Sequence, residues 1–270
     1  MITKSFDIQD KDSKAVLYSY VLDDQPRIMQ KQNRPAIIIC PGGGYLLTAR
    51  KEGESVALRF ASMGYHTFVL RYTTFLEGRP LPDGTMPPIN ENGYFPRQLF
   101  DLAEAMMIVK EHANEWHLDV NQIFLMGFSA GAHLSACMGT MWNSTLLLEH
   151  FKMPAETFRP KGMILGYPLL DMHTMVEDEE TFVQDEMPIQ LEYCMRCLCH
   201  TKTSSEQELD AVSPLKHVSE QTPQTFLWQA WNDKTTVVAN SLDFAQALDQ
   251  AGVSCELHLF RDGVHGMALG

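Results

Sequence analysis

The stretch Ile123-Phe124-Leu125-Met126-Gly127-Phe128-Ser129-Ala130-Gly131-Ala132 decides the fold. Its first four residues form a short apolar run, the pattern of a strand covered on both faces. The residues that follow, 132–141, read as a helix, so the order is strand, G-x-S-x-G, helix. A turn this tight brings the positions two before and two after the serine into collision. Glycine at 127 and 131 relieves the clash and tolerates unusual backbone angles. The serine is then pushed out at the C-terminal edge of a sheet, above a helix start with free N–H groups and a positive dipole end. Ser129 therefore reads as a nucleophile; the plain alternative is a serine in a tight strand-to-helix turn.

Outward from the elbow, short apolar strands alternate with amphipathic helices. Strands are expected at 16–22, with 2–8 as a hairpin partner, and at 36–40, 67–72, 162–167, 225–230 and 256–260. Helices are expected at 54–63, closed by Gly64, at 98–116 and at 237–250. In the second of these Leu99, Leu102, Met106, Val109 and Ala113 recur at three- and four-residue steps and give one buried stripe. This alternation predicts an α/β fold, a mostly parallel sheet with helices on both faces. Two stretches depart from it. Residues 73–96 form a polar, Pro- and Gly-containing loop, longer than an ordinary connection. Residues 171–213 read as a cap-like insertion above the strand ends, with helical patches, no strand, and a helix over 187–199. The chain of 270 residues is thus expected to be a single domain carrying this insertion.

Composition narrows the function classes. The hydrophobic fraction of 45% is that of a globular protein. No run approaches the roughly 20 apolar residues of a membrane span, and residues 1–14 carry no apolar leader region. The expectation is a cytoplasmic protein with no membrane partner. A formal net charge of -13 argues against nucleic acid and favours a neutral small molecule as substrate. Of the six cysteines, Cys40, Cys137 and Cys255 read as small core residues. Cys194, Cys197, Cys199 and His200 have ligand-like spacing but no second cluster to close a zinc site, so they read as thiols on a helix and no metal or cofactor is expected.

In open parallel sheets the chemistry lies beyond the carboxyl ends of the strands, and the reactive residues fall there. A serine hydroxyl needs a base, and the base needs a carboxylate to fix its tautomer. Of ten histidines, His265 is best placed, after the last strand and followed by Gly266; His133 lies a turn into the helix below Ser129 and is expected to pack there. Asp233, in the loop after the 225–230 strand, is the expected acid, with Asp171 and Asp262 as alternatives. The order Ser129, Asp233, His265 is that of α/β-hydrolases. The developing oxyanion needs fixed donors. Ala130 supplies one N–H; Gly43 and Gly44, in Pro41-Gly42-Gly43-Gly44-Tyr45 after the 36–40 strand, supply others. That glycine run lacks the endings of a nucleotide-phosphate loop. Tyr45, Phe128 and Trp231 are bulky neighbours expected to wall a small acyl pocket.

Pro41-Gly42-Gly43-Gly44-Tyr45, Gly127-Phe128-Ser129-Ala130-Gly131 with His133-Leu134, Asp233, and His265-Gly266 together resemble the hormone-sensitive-lipase-like α/β-hydrolase esterases, in their acetyl esterase and acetylxylan-esterase-like branch. The resemblance runs from about residue 35 to 266. It implies an α/β-hydrolase fold and a serine carboxylesterase acting through an acyl-enzyme on short-acyl esters, acetyl esters above all, with acetylated sugars among them. It also implies oxyanion donors at Gly43, Gly44 and Ala130. One departure is Pro41, where the group's commoner oxyanion motif begins with histidine, so the support beneath the loop must differ. The alternatives are a small peptidase or lipase of the same fold, or a non-catalytic ligand-binding protein. A lipase would want an apolar lid, and Glu177-Asp178-Glu179-Glu180 in the insertion is a poor lipid-facing surface.

Overall fold

The computed structural model describes residues 1–23, 33–79, 85–175, 181–184, 187–200 and 205–269. In chain order the elements are β1 (Ile2–Asp7), β2 (Val16–Val21), β3 (Arg34–Cys40), α1 (Glu54–Ala61), β4 (His66–Arg71), α2 (Arg97–Glu111), α3 (Ala113–Trp116), β5 (Leu118–Phe128), α4 (Ala130–Met141), α5 (Thr145–Phe151), β6 (Gly162–Gly166), β7 (Thr181–Gln184), β8 (Met187–Gln190), α6 (Leu191–Cys199), α7 (Glu206–Ala211), β9 (Gln224–Ala230), α8 (Ala239–Gln250) and β10 (Cys255–Phe260). Eight strands form one sheet in the order β1-β2-β4-β3-β5-β6-β9-β10. The hairpin β1–β2 and the β2–β4 pair are antiparallel; β4, β3, β5, β6, β9 and β10 run parallel. This is the α/β-hydrolase fold.

Burial on two sides explains the apolar runs of the central strands. Alternate residues of β3 divide between the layers: Ala36, Ile38 and Cys40 join the core with α2 and α4, while Ile37 and Ile39 join Val56 and Ala57 of α1. Beyond β5, Met163 and Leu165 of β6 and Leu227 of β9 pack with Ala132 and Ala136 of α4 and Phe244 and Leu248 of α8. Burial of this apolar surface, about 25 cal/mol for each Å² removed from water, is the main force holding helices on the sheet.

Strand register fixes where the chemistry can sit. Cys40 pairs with Gly127, Phe128 with Gly166, Gly166 with Trp228, and Ala230 with Phe260. The segments that leave β3, β5, β6, β9 and β10 therefore emerge along one edge of the sheet.

Three expectations are corrected. The helix expected over 98–116 is two helices, α2 and α3, interrupted at His112. The insertion contains strands, because β7 and β8 pair as an antiparallel hairpin. The helix expected from 187 begins only at Leu191. Pro188 lies in β8 opposite Val183; lacking an N–H and confined in φ, it suits an extended segment. Helix α6 docks the insertion on the main core through buried Cys194, Met195, Cys197 and Leu198. The Cys197 carbonyl accepts the Phe95 N–H at 2.9 Å, and its thiol donates to the Gly93 carbonyl at 3.4 Å. These cysteines are free thiols in a packed helix. Residues 177–180, with their charge run, lie outside the described residues, as does part of the loop at 73–96. Among the described residues, no helix is long and apolar enough to cross a membrane.

Candidate active site

Ser129 sits between β5 and α4 with φ 52 and ψ −121, a region an L-residue occupies only when its surroundings impose it. The flanking glycines show how it is imposed. A Cβ at Gly127 would lie 2.1 Å from the Gly131 carbonyl oxygen, and one at Gly131 would lie 2.0 Å from the Cys40 carbonyl oxygen. The elbow thus closes on itself and also packs against the end of β3. The Ser129 N–H donates to the Gly166 carbonyl at 3.0 Å, tying the turn to β6.

The register of the sheet brings three predicted side chains together. Ser129 Oγ lies 2.8 Å from His265 Nε2, and His265 Nδ1 lies 2.8 Å from Asp233 Oδ2. A carboxylate only accepts, so Nδ1 carries the proton and Nε2 is free to accept from Ser129. Asp233 Oδ1 accepts the N–H groups of Thr235 at 2.8 Å and Thr236 at 3.2 Å, and the Thr236 hydroxyl donates to Oδ2 at 3.3 Å. Burial pushes the Asp233 carboxyl up, but the hydrogen bond and charge of His265 and the two backbone donors outweigh it and hold it below the usual aspartate range. Asp171 is elsewhere, its Oδ1 accepting the His173 N–H at 3.0 Å. Asp262 is 81% exposed.

The loop 41–45 lies against the elbow. A Cβ at Gly42 would be 2.9 Å from Ser129 Cβ. Gly43, Gly44 and Tyr45 follow with φ of 122, 59 and 62, and the Gly43 carbonyl accepts from Leu46 and Leu47. The N–H groups of Gly43, Gly44 and Ala130 donate to no acceptor among the described residues. The support that replaces histidine at Pro41 is visible. The Pro41 carbonyl accepts the Tyr72 hydroxyl at 2.7 Å, and Glu52 Oε2 accepts the Gly42 N–H at 2.7 Å.

Two residues expected in the pocket wall are inside the protein instead. Tyr45 is 1% exposed, its hydroxyl 2.6 Å from His133 Nδ1. Phe128 is 3% exposed and packs with Met126 and Tyr167 in the α1 layer. Trp231 is on the surface, 57% exposed, two residues before Asp233. His133 packs as expected: Nε2 donates to the Val212 carbonyl at 2.7 Å, so Nδ1 accepts from Tyr45. It joins the 41–45 loop, α4 and the end of the insertion. Neither Glu52 nor Tyr167 stands out in the sequence. Glu52 sits in Arg50-Lys51-Glu52-Gly53-Glu54, which reads as a solvated charge run, and nothing local signals its burial.

Burial lowers the His133 pKa to about 4 against the upward pull of the Val212 carbonyl. An unfolded chain binds this proton near pH 6.5, so acid favours unfolding between about pH 6.5 and 4, and the effect levels off below that window. The expected loss of stability from this group is about 3 kcal/mol. Urea unfolding at pH 7 and pH 4.5 checks it: His133→Gln, which keeps one donor and one acceptor, should lose about 2 kcal/mol less than wild type over that interval. Equal losses would show that His133 does not titrate with folding.

The BD-FAE family model matches residues 24–248. The chain is 27% identical over 238 residues to the acetylxylan esterase of Xylanibacter ruminicola, covering 87% of this chain and 41% of that protein. It is 27% identical over 257 residues to the endo-1,4-beta-xylanase B of Butyrivibrio fibrisolvens, covering 94% of this chain and 34% of that protein. It therefore spans well under half the length of both curated relatives. Among solved structures, the acetyl ester-xyloside bifunctional hydrolase of Caldicellulosiruptor lactoaceticus superposes with a TM-score of 0.73 at 31% identity, covering 94% of this chain and 80% of that one.

Proposed function

The chain belongs to the BD-FAE family, an α/β-hydrolase family, and we propose that it is a serine carboxylesterase acting on short-acyl esters, acetyl esters first and acetylated xylose-containing sugars as their class. The observation that carries the reading is the pair of 2.8 Å contacts joining Ser129, His265 and Asp233. The similarity to an acetylxylan esterase and to an acetyl ester-xyloside hydrolase supports the acetyl preference.

In this reading His265 Nε2 takes the Ser129 proton as Oγ attacks the ester carbonyl. Asp233 stabilises the imidazolium that forms. The N–H groups of Gly43, Gly44 and Ala130 receive the oxyanion, and they are fixed before the substrate arrives. The imidazolium then protonates the leaving alcohol. Water, deprotonated by His265, hydrolyses the acyl-enzyme and releases the acid.

A panel of p-nitrophenyl esters from acetate to octanoate, run beside acetylated xylo-oligosaccharides, tests the proposal. Each added methylene that fits an apolar pocket should gain about 0.8 kcal/mol, so a falling trend means steric exclusion. We expect kcat/KM to be highest for acetyl or propionyl and to fall steeply by octanoyl. A preference for octanoyl would make the enzyme lipase-like. No hydrolysis, together with no labelling of Ser129 by a fluorophosphonate, would make it a binding protein.

A further inference from the structure

We propose that Glu52 is a positioning residue of this site, a buried carboxylate that holds the oxyanion loop and the base-bearing loop in one arrangement about Ser129; the proposal rests on the esterase reading above. Glu52 is 0% exposed. Its Oε2 accepts the Gly42 N–H at 2.7 Å, and its Oε1 accepts the Tyr167 hydroxyl at 2.7 Å. Tyr167 follows β6, and its hydroxyl oxygen also accepts the Ala268 N–H at 3.1 Å, three residues beyond the base. The Tyr167 ring lies edge-on to the His265 ring at 4.9 Å. A Cβ at Gly42 would be 2.9 Å from both Glu52 Oε2 and Ser129 Cβ, and one at Gly266 would be 3.8 Å from Glu52 Oε1. One carboxylate thus reaches the glycine loop directly, the nucleophile across Gly42, and the loop of the base through Tyr167.

The arrangement has a chemical logic. Because the Gly42 N–H is committed to Glu52, that peptide plane is fixed. The next two peptides, with φ of 122 and 59, are then set in direction. Those peptides carry the N–H groups assigned to the oxyanion. Both oxygens of Glu52 act as acceptors, so the ionised form is the one that fits. Burial pushes its carboxyl up, and the Tyr167 hydroxyl, the Gly42 N–H and the charges of His265 and Lys51 offset this only in part. A buried charge is a costly way merely to hold two loops together. Placed here it gives two charge-assisted bonds of defined direction.

The test is Glu52→Gln, which keeps the shape but turns an N–H₂ group towards one of two donors. We expect kcat for p-nitrophenyl acetate to fall about 10- to 100-fold with KM within about threefold, because oxyanion contacts strengthen in the transition state. The inhibition constant of an alkylboronic acid, which mimics the tetrahedral state, should rise in parallel. Far-UV circular dichroism and the melting temperature should stay at wild-type levels or above. Tyr167→Phe, which leaves the Gly42 bond in place, should lose about 3- to 10-fold in kcat, and Glu52→Gln/Tyr167→Phe should be little worse than Glu52→Gln alone. If Glu52→Gln does not fold, Tyr167→Phe decides the matter. A kcat within twofold of wild type, or a loss confined to KM, would overturn the positioning role while leaving the esterase reading intact. A wild-type protein inert to esters and to a fluorophosphonate would remove both.

Discussion

Ser129→Ala should hydrolyse p-nitrophenyl acetate at least a thousandfold more slowly than wild type in kcat, with its fold unchanged. The expected size follows from the way a nucleophile and its base act as a unit: removing one member removes nearly all of the covalent route, and only the oxyanion donors and binding remain. The fold should hold because the substitution keeps the Cβ and the backbone bond to Gly166, and among the described residues the deleted hydroxyl is bonded only to His265. The positive φ of Ser129 is as strained for alanine as for serine. Steady-state kinetics with a matched melting curve check both halves. A mutant that keeps a tenth of the activity would mean that another residue attacks the ester.

Much of this architecture could be read from local pattern, for a physical reason. Parallel strands covered on both faces carry short apolar runs, as β3, β4, the second half of β5 and β6 do, whereas β9 contains Gln224, Thr225 and Gln229 and the edge strand β10 alternates polar with apolar residues and has none buried. Because these strands run parallel, whatever follows them shares one edge, and that alone brings Ser129, Asp233 and His265 into one neighbourhood without any contact being known. The hairpin β7–β8 was harder, since its strands, Thr181-Phe182-Val183-Gln184 and Met187-Pro188-Ile189-Gln190, are only four residues each and too short to show a period.

Side-chain direction was the other difficulty. Phe128 ends β5 two residues after Met126, and period two sends both to the α1 layer. The expectation that Phe128 lines the pocket followed its closeness to Ser129 along the chain and overlooked this alternation. Tyr45 offered no such pattern. Its φ of 62 turns the ring inward to His133, and a glycine run sets no face for the residue after it. Glu52 is the extreme case. A glutamate between lysine and glycine is ordinarily solvated, and its burial arises only when β3, β5 and β6 deliver three distant loops around it. Contacts between loop ends carry no periodicity, so they are the part of a site that a sequence conceals.

Asp233→Asn should lower kcat by about 10⁴-fold, the size expected when a base is held in the wrong tautomer, while Asp171→Asn stays within a fewfold of wild type. The geometry fixes which end of the new amide meets His265. Oδ1 of residue 233 accepts two backbone N–H groups, from Thr235 and Thr236. The amide oxygen must take that position, so the NH₂ group occupies the place of Oδ2, 2.8 Å from His265 Nδ1. Nδ1 then has to accept, and the ring proton moves to Nε2, where it faces the Ser129 hydroxyl and blocks removal of its proton. The Thr236 hydroxyl can turn to accept from the new NH₂ group, so the mutant should fold as wild type. Among the described residues Asp171 has no comparable link: its Oδ1 caps the turn at His173 and its N–H donates to Asn240. Kinetics on both variants, with the His265 ring proton located by NMR, tests the argument. A large loss in Asp171→Asn with a small one in Asp233→Asn would move the acid to the loop after β6. Full loss in Asp233→Asn with the proton still on Nδ1 would mean that the lost carboxylate charge, and not the tautomer, sets the rate.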